Sequence, residues 1–303
     1  MTALIPPATI GFIGLGKMGR PMAARLIEAG FKLRVFDVSQ KAVSDFVGAC
    51  PAAVATASPR AASEGVDALI TMLPDGKIVR QALIEGQDAA RKSLLAGVLV
   101  LDMSSSNPVD TQKLARDLAS AGAALLDAPV SGGVKRALDG SLAIMVGGAA
   151  ADLERARPVL AAMGKTITLA GGTGAGHAMK ALNNYLSASG LVAMCEALLV
   201  GEAFGLDPAT MIDVINNSTG RNNATDVKGK QFVIPRNFVS GFYTSLMAKD
   251  LRTANDVAQH LKVNVPMLRE AVAYWNAADG KLGAGADHTE IFRYAEMLAE
   301  EAS

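Results

Sequence analysis

The sequence predicts an α/β domain built on a doubly wound, mainly parallel sheet, followed by an all-helical domain. Three observations lead there. Short continuous apolar runs alternate with helix-like stretches through the first half of the 303 residues. The apolar runs stop after Leu169, where the glycine-rich joint AGGTGAG begins. Beyond that joint only helical patterns remain. Apolar strands alternating with helices imply βαβ units whose sheet is covered on both faces, and right-handed crossovers wind such units into a doubly wound fold.

The strand-like runs are Thr9–Ile13, Leu33–Phe36, Ala68–Met72, Val98–Leu101 and Ala124–Leu126, with Ala143–Val146 and Thr166–Leu169 following. A stretch rich in Ala, Leu, Lys, Arg and Glu, Lys17–Glu28, reads as the first helix. After the joint, Gly176–Phe204, Pro208–Asn216, Leu246–His260 and Pro266–Ala278 read as helices, with a weaker pattern at Glu290–Glu300. Asp207-Pro208 is an N-cap followed by proline at the first helical position. The expected division is residues 1–172 and residues 173–303.

Composition removes several function classes. Lys+Arg and Asp+Glu are both 29, and half the residues are hydrophobic. A nucleic-acid binder carries a basic excess, and none exists here. Disordered chains are poor in apolar residues and high in net charge, unlike this one. Cys50 and Cys195 cannot form a disulfide framework, and a reducing, cytoplasmic location is the simpler expectation. His177, His260 and His288 fall in no zinc-binding spacing, so no metal is expected. The N-terminus lacks a basic region and a long apolar run, so it does not read as a secretory signal. Gly176–Phe204 is apolar, but Lys180, Asn183, Asn184, Glu196 and Glu202 break it, so no membrane span is expected. At 1.5 Å per residue it runs roughly 43 Å. A helix that long and apolar is hard to bury in one small domain, which points to a homo-oligomer.

The first run leads into Gly14-Leu15-Gly16-Lys17-Met18-Gly19, a G-x-G-x-x-G between strand and helix. Gly14 permits the tight turn, Gly16 lets a pyrophosphate approach the backbone, and Gly19 allows close helix–strand packing. The helix start favours phosphate charge. Asp37 ends the second strand, 21 residues after Gly16. Its carboxylate suits adenosine ribose hydroxyls and repels a 2′-phosphate, so NAD is preferred over NADP. Lys41 is a modest counterweight, and Asp37 also has the position to cap the next helix. The first domain is therefore a Rossmann-type dinucleotide-binding domain.

Three further segments attract attention. Asp127-Ala-Pro-Val-Ser131-Gly132-Gly133 lies at a strand end, where open α/β sheets bind ligands. Its hydroxyl and open backbone suit a substrate carboxylate, although alone it reads more readily as an ordinary turn. Lys180 and Asn184 sit four apart on a helix and share a face. Apolar neighbours Ala178, Met179, Ala181 and Leu182 would desolvate the lysine, which lowers its pKa and suits it to acid–base work. Most helical lysines are merely solvated. Lys249-Asp250 in GFYTSLMAKDL means little by itself.

Together, GFIGLGKMGRPMAARL, LDMSSSNP, DAPVSGG, GTGAGHAMKALNN and GFYTSLMAKDL occur in this order. The chain resembles the β-hydroxyacid dehydrogenase family along nearly its whole length, above all its 3-hydroxyisobutyrate dehydrogenase-like members. The resemblance implies hydride transfer between NAD and a small 3-hydroxy acid or its semialdehyde. It implies Lys180 as catalytic lysine, Ser131, Gly132 and Gly133 as substrate anchor, and Asn184 as the polar residue beside the lysine. It also implies cofactor contacts at Leu73, Pro74 and Ser105 near the nicotinamide and at Lys249, closure of the site by Phe242 and Asp250, and a homodimer or homotetramer. Lys135, Arg136 and Arg221 are cations without an assigned role, and they leave room for a more acidic substrate. A tartronate, glyoxylate or succinic semialdehyde reductase remains open, as does an imine-directed enzyme. A non-catalytic dinucleotide-binding regulator is the alternative from another class, and the presence of Lys180 argues against it.

Overall fold

The computed structural model describes residues 2–301. The chain divides into two compact units between Lys180 and Ala181, within one long helix, Ala175–Phe204.

The first unit is a nine-stranded sheet. Its strands are β1 (Thr9–Ile13), β2 (Lys32–Phe36), β3 (Ala53–Ala55), β4 (Ala68–Thr71), β5 (Leu99–Asp102), β6 (Ala124–Asp127), β7 (Val130–Ser131), β8 (Leu142–Gly147) and β9 (Gly164–Gly171). The parallel part has the order β3-β2-β1-β4-β5-β6, the arrangement of a doubly wound dinucleotide fold. β8 then pairs antiparallel with β6 and β7, and β9 runs parallel to β8. The seven strand-like runs of the sequence all become strands.

The continuous apolar runs follow from burial on both faces. In β4, Ala68 and Ile70 join one core cluster and Leu69 the other. β5 splits the same way, with Leu99 and Leu101 against Val100, and β6 with Leu126 against Leu125. Alternate side chains point to opposite faces, so a polar residue in any of these positions would lose a core contact. Val35 from β2 and Met22 and Leu26 from the helix Gly19–Glu28 fill the first cluster. Leu114 and Leu118 from the helix Pro108–Ser120 fill the second.

In the second unit, Leu191, Met194, Cys195 and Leu198 of the long helix pack with Ile212, Val233, Met247, Leu251, Trp275, Ile291 and Phe292. The expected helices appear at Pro208–Asn216, Thr244–His260, Pro266–Leu282 and Ile291–Glu301. In this unit the π-helix Ala224–Val233 had no sequence counterpart. By length and composition alone the long helix is apolar enough to cross a membrane, a test that a core helix of a globular protein also passes.

Candidate active site

The glycine turn is shaped by contacts that exclude a Cβ. Gly14 has φ +104°, and a Cβ there would fall 2.3 Å from the Met72 carbonyl oxygen. A Cβ at Gly19 would fall 1.9 Å from the Gly14 carbonyl oxygen. At Gly16 a Cβ would meet nothing within 4 Å. Gly16 thus faces open space, the room a pyrophosphate needs, while Gly14 and Gly19 close the turn. Lys17 is exposed and Met18 half-buried. The following helix starts at Gly19, with Met18 at the N-cap position and no side chain capping it.

Asp37 is not the cap of the next helix. Ser39 is, its hydroxyl accepting the Ala42 N–H. Asp37 instead accepts the Leu15 N–H at 2.7 Å and the Ser39 N–H at 2.8 Å. A carboxylate has about four lone-pair sites, so Asp37 retains acceptor capacity for ribose hydroxyls. Glycine turn, helix start and acid together fit a dinucleotide.

Leu73 and Ser105 occupy neighbouring loops at the carboxyl ends of β4 and β5. The Leu73 N–H donates to Ser104 Oγ at 2.9 Å. Ser106 Oγ donates to Asp102 Oδ2 at 3.0 Å, and Ser104 N–H to Asp102 Oδ1 at 3.1 Å. Ser104 and Ser106 are buried, and Ser105 between them is half-buried, with Pro74 exposed next to Leu73.

Ser131 ends β7, and Gly132 and Gly133 follow with φ +130° and +68°. The stem of Arg136 lies across Gly132, where a Cβ would meet Arg136 Cδ at 2.4 Å. Asp127, four residues before Ser131, holds the start of the long helix. Its Oδ1 accepts the Gly174 N–H at 2.7 Å and its Oδ2 the His177 N–H at 2.9 Å. A carboxylate at a helix N-terminus is favoured by the helix dipole. Lys180 lies one turn further along and is half-buried. A second, more deeply buried lysine lies in the second unit. Lys228 is 8% exposed, and burial pushes its pKa down to about 8 against the attraction of Asp287 and Cys195.

In the second unit, Asn184 is buried and its Nδ2 donates to Asp250 Oδ2 at 2.5 Å. Lys249 Nζ lies 3.3 Å from Asp250 Oδ1, and Asn183 Nδ2 donates to Asn184 Oδ1 at 3.1 Å. Asn184, Lys249 and Asp250 therefore form one polar group. Phe242 meets the His288 ring edge-on at 5.6 Å, and its carbonyl accepts the His288 N–H at 2.8 Å. The proposed residues thus fall in two sets. Gly14 to Gly19, Asp37, Leu73, Pro74, Ser105, Ser131 to Gly133 and Lys180 belong to the first unit, and Asn184, Phe242, Lys249 and Asp250 to the second. The long helix carries Lys180 and Asn184 one turn apart.

Sequence reasoning missed the supports: His177, Asp102, Asp127, Asp287 and His288. Asp287 accepts hydrogen bonds from Ser240 Oγ, Gly241 N–H, Thr289 N–H and Thr289 Oγ1. With Glu290 it forms a capping box, a pattern visible as Asp-x-x-Glu in the sequence.

Fold and site together define a nicotinamide-dinucleotide-dependent oxidoreductase. Residues 9–172 match the family model described as the NAD binding domain of 6-phosphogluconate dehydrogenase, and residues 174–295 match the one described as NAD-binding of NADP-dependent 3-hydroxyisobutyrate dehydrogenase. The chain is 40% identical over 264 residues to the NAD-dependent L-serine dehydrogenase of Pseudomonas aeruginosa, covering 85% of this chain and 88% of that one. It is 36% identical over 290 residues to the 2-hydroxy-3-oxopropionate reductase of Escherichia coli, covering 96% and 98%. The solved 3-hydroxyisobutyrate dehydrogenase of Mycobacterium tuberculosis with L-serine superposes with a TM-score of 0.86 at 35% identity, covering 95% and 99%. The chain belongs to the β-hydroxyacid dehydrogenase family. It is an NAD-linked oxidoreductase of small hydroxy acids that carry a carboxylate.

Proposed function

We propose that this enzyme interconverts a short 3-hydroxy acid of the 3-hydroxyisobutyrate kind and its semialdehyde, with Lys180 as general acid and base. The observation that carries this reading is the Asp127 carboxylate. It pins the first turn of the helix bearing Lys180 to the end of β6, the strand end from which the Ser131–Gly133 loop departs. An amine and an open glycine loop thus start from one point on the ligand-binding edge of the sheet.

In the oxidising direction Lys180 Nζ takes the hydroxyl proton, and in the reducing direction it returns that proton to the forming alkoxide. The nicotinamide, when bound, accepts or supplies the hydride. Ser131, Gly132 and Gly133 hold the carboxylate. Asn184, fixed by Asp250, follows Lys180 by one turn of the same helix, and the family resemblance assigns it the reacting oxygen. The same resemblance assigns closure of the site to Phe242 and Asp250 and a cofactor contact to Lys249. Leu73, Pro74 and Ser105 line the nicotinamide end, with Gly14 to Gly19 on the pyrophosphate and Asp37 on the ribose.

A second reading, reduction of tartronate semialdehyde, is favoured by Arg136. Its stem crosses Gly132 and brings a cation to the anchoring loop, which suits a more polar acid. An NAD-linked activity screen across short 3-hydroxy acids and their semialdehydes tests both. Fastest turnover of 3-hydroxyisobutyrate supports the first, and clear preference for tartronate semialdehyde supports the second. Turnover of neither would overturn both.

We further infer a homodimer or homotetramer in the cytoplasm. One face of the long helix belongs to the core of the second unit, through Ala188, Leu191, Cys195 and Leu198. Leu186, Val200 and Phe204 are 68%, 72% and 84% exposed, a stripe that a second copy would cover. The free Cys50 and Cys195 suit a reducing compartment. Light scattering that finds only a 31.2 kDa species at micromolar protein would contradict the oligomer.

A further inference from the structure

The imidazole of His177 takes no part in the chemistry above, yet it is among the most buried polar groups of the first unit, 1% exposed. It lies between the ends of β5 and β6. Its Nε2 is 3.1 Å from the Ser104 carbonyl oxygen. A carbonyl only accepts, so Nε2 carries a proton and donates it there. Nδ1 shares a hydrogen bond with Thr111 Oγ1 at 2.8 Å. The carboxylates of Asp102 and Asp127 stand 3.7 and 4.0 Å from the ring nitrogens. The ring therefore joins two backbone segments. One is the Ser104–Ser106 loop on the dinucleotide-binding edge. The other is the first turn of the long helix, where Lys180 follows three residues later.

That turn has little slack. A Cβ at Gly176 would fall 2.4 Å from the Met145 carbonyl oxygen and 2.7 Å from the Asp127 carbonyl oxygen. Gly174 has φ +93° and approaches the Pro108 carbonyl. The glycines of GTGAGH thus let the helix start press against β6 and β8, and His177 sets how far the β5 loop stands from it. The distance matters for chemistry. A proton-transferring group must reach its oxygen at about 2.6–3.2 Å, and a misplacement of about 1 Å costs on the order of 100-fold in rate.

We propose that His177 is a positioning residue. Its Nε2–H bond to Ser104 fixes the β5 loop against the helix turn that carries Lys180, and so sets the reach of the amine over the cofactor edge. This rests on Lys180 being the acid–base group. The bland counterpart is a buried histidine that adds stability and nothing else.

Three variants separate these. His177→Gln places an amide N–H near the position of Nε2 and keeps the Ser104 bond. His177→Asn reaches only the region of Nδ1, and His177→Leu keeps bulk without either bond. Tm, NAD Kd, KM and kcat are measured for each. The expected result is a kcat loss of about 10- to 100-fold in His177→Leu and His177→Asn, an NAD Kd near wild type in all three, and recovery of most of kcat in His177→Gln. Equal kcat in the Asn and Gln variants would overturn the proposal, even if His177→Leu fails to fold. So would losses confined to Tm. Lys180→Ala in the same assay separates the two levels. Wild-type turnover there would remove the acid–base reading itself. Loss of turnover there, with normal kcat in the His177 variants, would remove only the positioning role.

Discussion

The Asp37 carboxylate accepts the Leu15 backbone N–H at 2.7 Å, so the end of β2 grips the glycine turn directly. In the proposed site the same carboxylate serves the turn and accepts from the ribose hydroxyls. Asp37→Ala is expected to weaken NAD by about 10- to 100-fold, since hydrogen bonds to charged groups contribute about 1.5–3 kcal/mol. It is also expected to narrow the preference over NADP, because the repulsion of a 2′-phosphate is gone. Titration with both cofactors checks this. Unchanged affinity for both would confine Asp37 to loop support.

Asn184 is oriented by Asp250 through a buried, charge-assisted bond. Asp250→Ala frees the amide to rotate. Turnover is expected to fall by about tenfold or more as that bond is lost, with NAD affinity nearly unchanged. Steady-state kinetics beside cofactor titration checks the split. A variant with wild-type kcat would detach Asp250 from Asn184.

Asp287 links acid stability to the loop that carries Phe242. Burial alone would raise its carboxyl, but hydrogen bonds from His288, Thr289 and Ser240 outweigh it and hold the group far below the ordinary carboxylate range. The unfolded chain takes up this proton near pH 4 and the folded chain only at much lower pH. The stabilisation is therefore full above about pH 4 and is lost as pH falls below it. Asp287→Asn should lower Tm at pH 7 and flatten the decline of Tm in acid. Identical acid profiles would show that other carboxylates dominate.

Lys228 acts in the opposite sense. Burial lowers its pKa to about 8, against about 10.4 for a free lysine. Below pH 8 both states are protonated, and the folded protein bears the full cost of a buried charge. Between about pH 8 and 10 the unfolded state binds more protons, so stability from this group rises with pH. Lys228 Nζ also loses a 3.2 Å bond to Ser187 Oγ when replaced, but that is a modest contribution. Lys228→Met is expected to raise Tm at pH 7, with the difference shrinking by pH 9.5. A constant difference across this range would place the effect in packing.

Leu186 tests the proposed assembly. Leu186→Glu puts a charge in the exposed stripe of the long helix and is expected to shift light scattering toward the 31.2 kDa monomer, with little change in Tm of the chain itself. An unchanged oligomer would place the interface elsewhere.

Much of the first unit is legible in the sequence because double-sided burial forces unbroken apolar runs, as in Leu99–Leu101. β3 was not, since Ala-Val-Ala is short and alanine has low strand preference. β7 has two residues and no period to detect. The π-helix Ala224–Val233 contains Gly229 and Lys228, and only packing against Ile212 and Met194 explains why a glycine sits there. In the site, glycines were readable because turn geometry dictates residue type. The contacts of His177 with Ser104, Thr111 and Asp127 join residues far apart in the chain, and no local pattern encodes them. Asp37 had the spacing of a ribose ligand and the position of a helix cap, and only the Ser39 bond to Ala42 decides against the cap.

Lys180 carries the proposed chemistry, and the most direct measurement is kcat of Lys180→Ala beside its NAD Kd. Removal of a general acid–base group should lower kcat by about 10²–10⁴-fold, with cofactor affinity unchanged. Turnover near wild type would contradict the assignment of Lys180.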